Sequence, residues 1–257
     1  MLRVLAPRLG FWACALSVPL TLLTILWLVW ALIRARLTRG ALVAILLVSA
    51  GAWGALALHR WVGFGGLVPL AVRNATLTIL GAALGGAAAQ ALRDRNLLVP
   101  AGVFAAAVDI AVVFWGPTGR AVQHAPQAVT QLSVHAPLPG TAGPPPAPGG
   151  APLAPDVLNV GFLDVLMAAF ILAALVRFHM RSGVAFWHIC FWLSAIALAA
   201  VFSGWPIPGW PFIVFAGLLP NYDQFRFSRS EKITMAIGSI AALVAVGLVL
   251  WATARMW

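Results

Sequence analysis

The sequence predicts an all-α protein, a polytopic transmembrane helix bundle of about eight helices. Three observations predict it. Of 257 residues, 62% are hydrophobic and 9% charged, whereas typical soluble chains carry about 25% charged residues. Mean hydropathy is +0.98. The apolar residues also fall in blocks close to the roughly 20 residues a helix needs to cross a hydrocarbon core.

The blocks in order define the elements. Phe11–Ile33 is too long for the apolar part of a cleaved leader and reads as a retained helix. Gly40–Leu58 follows. Thr76–Leu92 is the third span, its start set by Arg73 and Asn74, and Gly81, Gly85 and Gly86 give it a small-residue packing face. Leu97–Trp115, Val157–Val176 and Gly183–Ser203 are the fourth to sixth. Ile207–Leu219 is short and proline-rich, as a broken or tilted helix would be, and Ile233–Ala252 is the last. All belong to one transmembrane domain: a three-helix part over residues 1–96, a core over 97–220, and a basic loop with a final helix over 221–257. The single long connection is Gly116–Asp156. Its second half, HAPLPGTAGPPPAPGGAPLAP, is too rich in Pro and Gly to pack, so residues 135–156 read as a disordered tether.

The net charge of +10 does not indicate nucleic acid. The Lys and Arg residues are scattered between apolar blocks, as in short loops facing anionic headgroups, and no basic stripe interleaved with aromatics is present. Loops after the odd-numbered spans hold Arg34, Arg36, Arg39, Arg93, Arg95, Arg177, Arg181, Arg226, Arg229 and Lys232. That excess places both termini and the long loop outside the cytoplasm. Tyr222–Lys232 then reads as a basic cytoplasmic loop. Cys14 and Cys190 fall inside apolar spans and read as small core residues. His188 reads as a hydrogen-bonded core histidine. His124 and His135 have no other ligand types nearby, so no metal or cofactor is expected.

The acids are more informative. Asp94, Asp156, Asp223 and Glu231 fall in loops, and only Asp109 and Asp164 lie inside apolar spans. A carboxylate at the membrane centre costs about 2.5–3.5 kcal/mol on insertion scales, so such acids point to function. Asp109 lies six residues before the end of its span and Asp164 seven residues after the start of the next. Antiparallel neighbours would bring both to one level, roughly 9–10 Å below the same face. Two close carboxylates share one proton, because ionising both would set like charges side by side. The ionised partner can take a proton from water while the protonated partner polarises a carbonyl. Other readings of the pair are neutralisation of Arg73, or proton binding in a small transporter.

Three motifs occur in order around these acids. Val108-Asp109 lies in the fourth span, Gly161-Phe162-Leu163-Asp164 in the fifth, and Pro208-Gly209-Trp210-Pro211 follows one span later. Over residues 97–220 this arrangement resembles the presenilin and signal-peptide-peptidase family of GxGD intramembrane proteases. That family has a Tyr-Asp pair, a GxGD motif and a Pro-Ala-Leu motif in the same order. Val108 stands where the family has Tyr, Leu163 replaces the second glycine, and Gly209-Trp210 replaces Ala-Leu. Three spans rather than five precede the first Asp, and an eighth follows the proline motif. The resemblance is to a shortened, prokaryotic branch and implies a multi-pass protein of the inner (cell) membrane. It also implies catalytic Asp109 and Asp164, with Gly161, Pro208, Gly209, Trp210 and Pro211 holding the substrate.

Prolines in GWPIPGWP remove backbone donors, and such backbone is tolerated at membrane depth only where it is buried or lines a wet cavity. It could hold substrate beside the dyad or form an interfacial turn anchored by Trp205 and Trp210. Gly161 could admit close approach to the dyad or close helix packing. The expected activity is hydrolysis of peptide bonds in transmembrane segments or remnant signal peptides. The expected partners are a transmembrane peptide and the lipid bilayer, with no nucleic acid. A proton-coupled transporter using the same two acids and an inactive assembly protein of the same fold are the rival readings. The GxGDxK pattern of prepilin peptidases is absent, since Val165-Leu166 follow Asp164.

Overall fold

A computed structural model describes residues 2–35, 37–58, 67–114, 132–137, 157–203 and 207–255. Eight α-helices run through them: α1 (Leu2–Arg34), α2 (Arg39–Leu58), α3 (Leu67–Ala91), α4 (Leu98–Phe114), α5 (Phe162–Arg177), α6 (Ser182–Ser203), α7 (Trp210–Leu218) and α8 (Arg229–Arg255). Three segments are long and apolar enough to cross a membrane: Ala15–Arg34, Arg95–Phe114 and Ser182–Ser203. Large apolar side chains stand on the outside, among them Leu16 and Trp27 of α1, Val48 of α2, Phe191 of α6 and Leu248 of α8. Exposed apolar surface on this scale marks contact with a membrane or another protein.

Helix α5 is the hub. Val165, Ala168, Ala169, Ile171, Leu172 and Leu175 are all buried, and α1, α3, α6 and α7 pack around it. A helix apolar on every side belongs in the middle of a bundle. Its tightest neighbour is α3, where a Cβ on Gly81 would lie 3.1 Å from Val165 Cγ1 and one on Gly85 would lie 2.7 Å from the Phe170 amide. Further along, Arg177 Nη1 donates to the Ala89 carbonyl at 2.9 Å. The contacts advance together in both helices, so the two run parallel. Gly86 meets open space, leaving Gly81 and Gly85 as the packing pair.

The structure corrects several expectations. The third helix starts at Leu67 and carries Arg73 and Asn74 within it. Unpairing a backbone in apolar surroundings costs more than accommodating polar side chains on an unbroken helix. Residues Val157–Gly161 do not begin the fifth helix. They form a strand, β2, antiparallel to β1 (Ser133–Pro137), with Val134 opposite Val160 and Pro137 opposite Val157. Val134 and Val160 are both buried, and β1 packs against α3, so burial of one face fixes the register. The fold is therefore not purely α, and residues 135–137 of the expected tether are strand, while residues 138–156 lie outside the described residues. His188 Nδ1 is buried without a hydrogen-bond partner among the described residues. Cys190 is a buried free thiol.

The turn from α5 to α6 closes with His179 at φ 55° and with Met180 N donating to the Leu175 carbonyl at 2.8 Å. That pair of features is a Schellman ending. After α7, a 3-10 segment, Leu219–Gln224, folds back on that turn. Asn221 is fully buried, accepting from Arg181 N at 2.7 Å and donating to the Gly217 carbonyl at 3.0 Å.

Candidate active site

Asp164 lies in the first turn of α5. The chain leaves β2 at Gly161, which occupies the N-cap position, and Phe162 N still donates to the Leu132 carbonyl at 2.9 Å. The Asp164 carboxylate turns back toward this start, where Oδ2 accepts from Gly161 N at 3.2 Å. A Cβ on Gly161 would lie 2.9 Å from that oxygen, so the absent side chain is what admits the carboxylate. Of the two readings of Gly161, the geometry gives close approach, with the Asp164 carboxylate as the neighbour a side chain would meet.

Asp109 sits five residues before the end of α4. Its Oδ2 accepts from Trp210 N at 2.9 Å, and the Gly209 N–H is also directed at it. Trp210 is the first residue of α7, with Pro211 next and Gly209 at the N-cap. Amides at a helix start have no partner within the helix, and a carboxylate is the natural acceptor there. From the other side, Gly209 presses on Asp164: a Cβ would stand 2.7 Å from Oδ1 and 3.2 Å from Cγ. One short stretch, Gly209-Trp210, therefore touches both acids, and the two carboxylates lie within electrostatic range of each other.

The juxtaposition expected from the sequence is present, but the depth argument behind it is not. With α5 starting at Phe162, Asp164 stands at the mouth of its helix, whereas Asp109 is more than a turn inside α4. The two meet at the start of α7, where Gly209-Trp210 lies against both. Neither acid pairs with Arg73, and the ion pair found among the described residues is Arg181 with Asp223 at 2.8 Å. As whole residues, Asp109 and Asp164 are both half-buried. Pro208 is buried beside Gly209, while Pro211 faces a cavity that also touches Ile110. Trp205 and Pro206 lie outside the described residues.

Sequence reasoning missed the strand Ser133–Pro137, which braces Gly161 through the β1–β2 ladder. Its signal was the pair of short valine-containing stretches, SVHAP and VLNVG, flanking the Pro/Gly-rich linker. No family model, curated protein or solved structure matches this chain. Among the described residues no group of three His, Cys, Asp or Glu side chains is placed to hold a metal ion.

Proposed function

We propose that this chain is a polytopic membrane protein that hydrolyses peptide bonds within or beside the bilayer, with Asp109 and Asp164 as its catalytic pair. The observation that carries this reading is the Gly209-Trp210 segment, which lies against both carboxylates at once: Asp109 accepts from Trp210 N, and Asp164 packs against Gly209. In the reaction, one carboxylate removes a proton from water as the oxygen adds to the scissile carbonyl carbon. The partner carboxyl donates its hydrogen to the carbonyl oxygen. Collapse of the resulting diol breaks the C–N bond: one hydroxyl returns its proton to the carboxylate that had donated, re-forming the carbonyl of the new acid, and the proton taken from water goes to the leaving amine. Which acid plays which role belongs to the pair rather than to either residue.

A helix must unwind before its peptide bonds can enter such a site. The β1–β2 sheet has two strands among the described residues, and β2 leads directly into the turn bearing Asp164. An unwound substrate segment can add along a free edge by backbone pairing. The inner-membrane location, the eight-span arrangement and the role of Pro208, Trp210 and Pro211 in holding substrate belong to the same proposal.

The test is cleavage of a model transmembrane substrate by purified wild type, Asp109→Asn and Asp164→Asn. Asparagine keeps an acceptor oxygen for Trp210 N–H or Gly161 N–H, so the local fold is retained while ionisation is lost. Both variants should fall to background, and the wild type should show a bell-shaped pH–rate profile. Cleavage that persists in either variant rejects the dyad.

A further inference from the structure

A cavity of about 1000 Å³ lies between α4, α7 and the start of α8. Its long walls are apolar, with Val99, Val103 and Ile110 of α4 facing Pro211, Val214 and Leu218 of α7. From Val99 to Ile110 the helix rises about 16 Å. One leaflet of a hydrocarbon core about 30 Å thick has that depth.

The character of the lining changes at the Val99 end. There Tyr222, Phe225, Arg226 and Lys232 contribute, and Arg226 is fixed close to the α4 entry because its carbonyl accepts from Asn96 Nδ2 at 2.8 Å. Neither cation forms an ion pair among the described residues. The nearby acids are engaged elsewhere: Asp94 accepts from Asn96 N, and Glu231 accepts from Ser228 N. Aromatic rings and unmatched cations at one end of an apolar trough are the composition of a headgroup interface.

We propose that this trough binds an anionic phospholipid, its phosphate between Arg226 and Lys232 and one acyl chain running along α4 to end at Ile110. The dimensions favour a lipid over a protein helix. A membrane-crossing helix would need apolar lining through the full bilayer, whereas this lining stops after one leaflet. The chain end would then abut the residue next to Asp109. The inference rests on the membrane placement proposed above and is independent of the dyad's chemistry.

The test is native mass spectrometry of the full chain in detergent, after equilibration with equal amounts of phosphatidylglycerol and phosphatidylcholine carrying the same acyl chains. Two cations at the headgroup should favour the anionic lipid on the order of tenfold. The pair Arg226→Gln/Lys232→Gln should bring the ratio close to parity, while Arg226→Lys/Lys232→Arg keeps it. Ala106→Trp, which fills the trough, should reduce retention of both lipids. If the double Gln variant does not fold, the single substitutions read each cation separately. Equal retention by wild type, or a preference that survives loss of both cations, overturns the proposal. So does displacement of either lipid by a single-span peptide that Ala106→Trp in turn excludes. Asp109→Asn should leave the lipid ratio unchanged, so failure here and failure of the peptidase reading are separate outcomes.

Discussion

Gly209 meets Asp164 on one side while its neighbour's amide serves Asp109 on the other. A methyl group there has nowhere to go without moving a carboxylate or the start of α7. With the pair catalytic as proposed, Gly209→Ala should lower kcat/KM on a transmembrane substrate by about 100-fold, the scale expected for a displacement near 1 Å at reacting groups. Thermal unfolding should change little, because the site lies at a helix end rather than in the core. Turnover near that of the wild type would show that the close approach is dispensable. The sequence made the two acids conspicuous, since ionisable groups in apolar blocks stand out by themselves. It could not show that Trp210 meets Asp109 through its backbone amide, because an N–H leaves no trace in residue identity. His188 illustrates the same limit, since its side-chain partners depend on neighbours from other helices.

Helices were legible as elements because long apolar blocks need internally paired backbone. The small hairpin was not, because five residues beside a Pro/Gly-rich linker carry little periodic signal and Val157–Gly161 reads as easily as the start of a helix. On α3, a Cβ at Gly85 would meet the Leu166 carbonyl oxygen and stand 2.8 Å from Ala169 Cβ. Gly85→Val should destabilise the protein by about 1–3 kcal/mol through overpacking, measured by unfolding in detergent, whereas Gly86→Ala, facing open space, should be nearly neutral. On α8, Ser228 and Glu231 form a reciprocal cap: Ser228 N donates to Glu231 Oε2 at 2.6 Å, and Glu231 N donates to Ser228 Oγ at 3.2 Å. The Ser228 amide and hydroxyl hold the Glu231 carboxyl below its usual range. A depressed value stabilises the folded helix start above the unfolded pKa, near 4.3, and that contribution fades as pH falls through the folded value. Amide exchange over residues 229–232 should accelerate on acidification, and Glu231→Gln should flatten that dependence.

At the scale of the molecule, α7 is a rod of nine residues with the acid pair at one end and Asn221 just beyond the other. Asn221 ties the rod to the α5–α6 turn through Arg181 N and Gly217 O. Asn221→Ala would strand these buried backbone groups and should cost about 1–3 kcal/mol, with a fall in cleavage rate as the far end loses register. The neighbouring Arg181–Asp223 pair is solvent-exposed, so Asp223→Asn should change unfolding by under about 1 kcal/mol. The arrangement of helices around α5 was beyond the sequence, because apolar blocks of similar composition do not specify their neighbours. The parallel contact of α3 with α5 also has a consequence for biogenesis. Gly81 and Gly85 wait for Val165 and Phe170, which leave the ribosome roughly 80 residues later. At about 5–20 residues per second the delay is roughly 4–16 s. In the membrane placement proposed above, the glycine-lined groove of the nascent chain would be open during that interval to lipid, to the insertion machinery and to quality-control proteases.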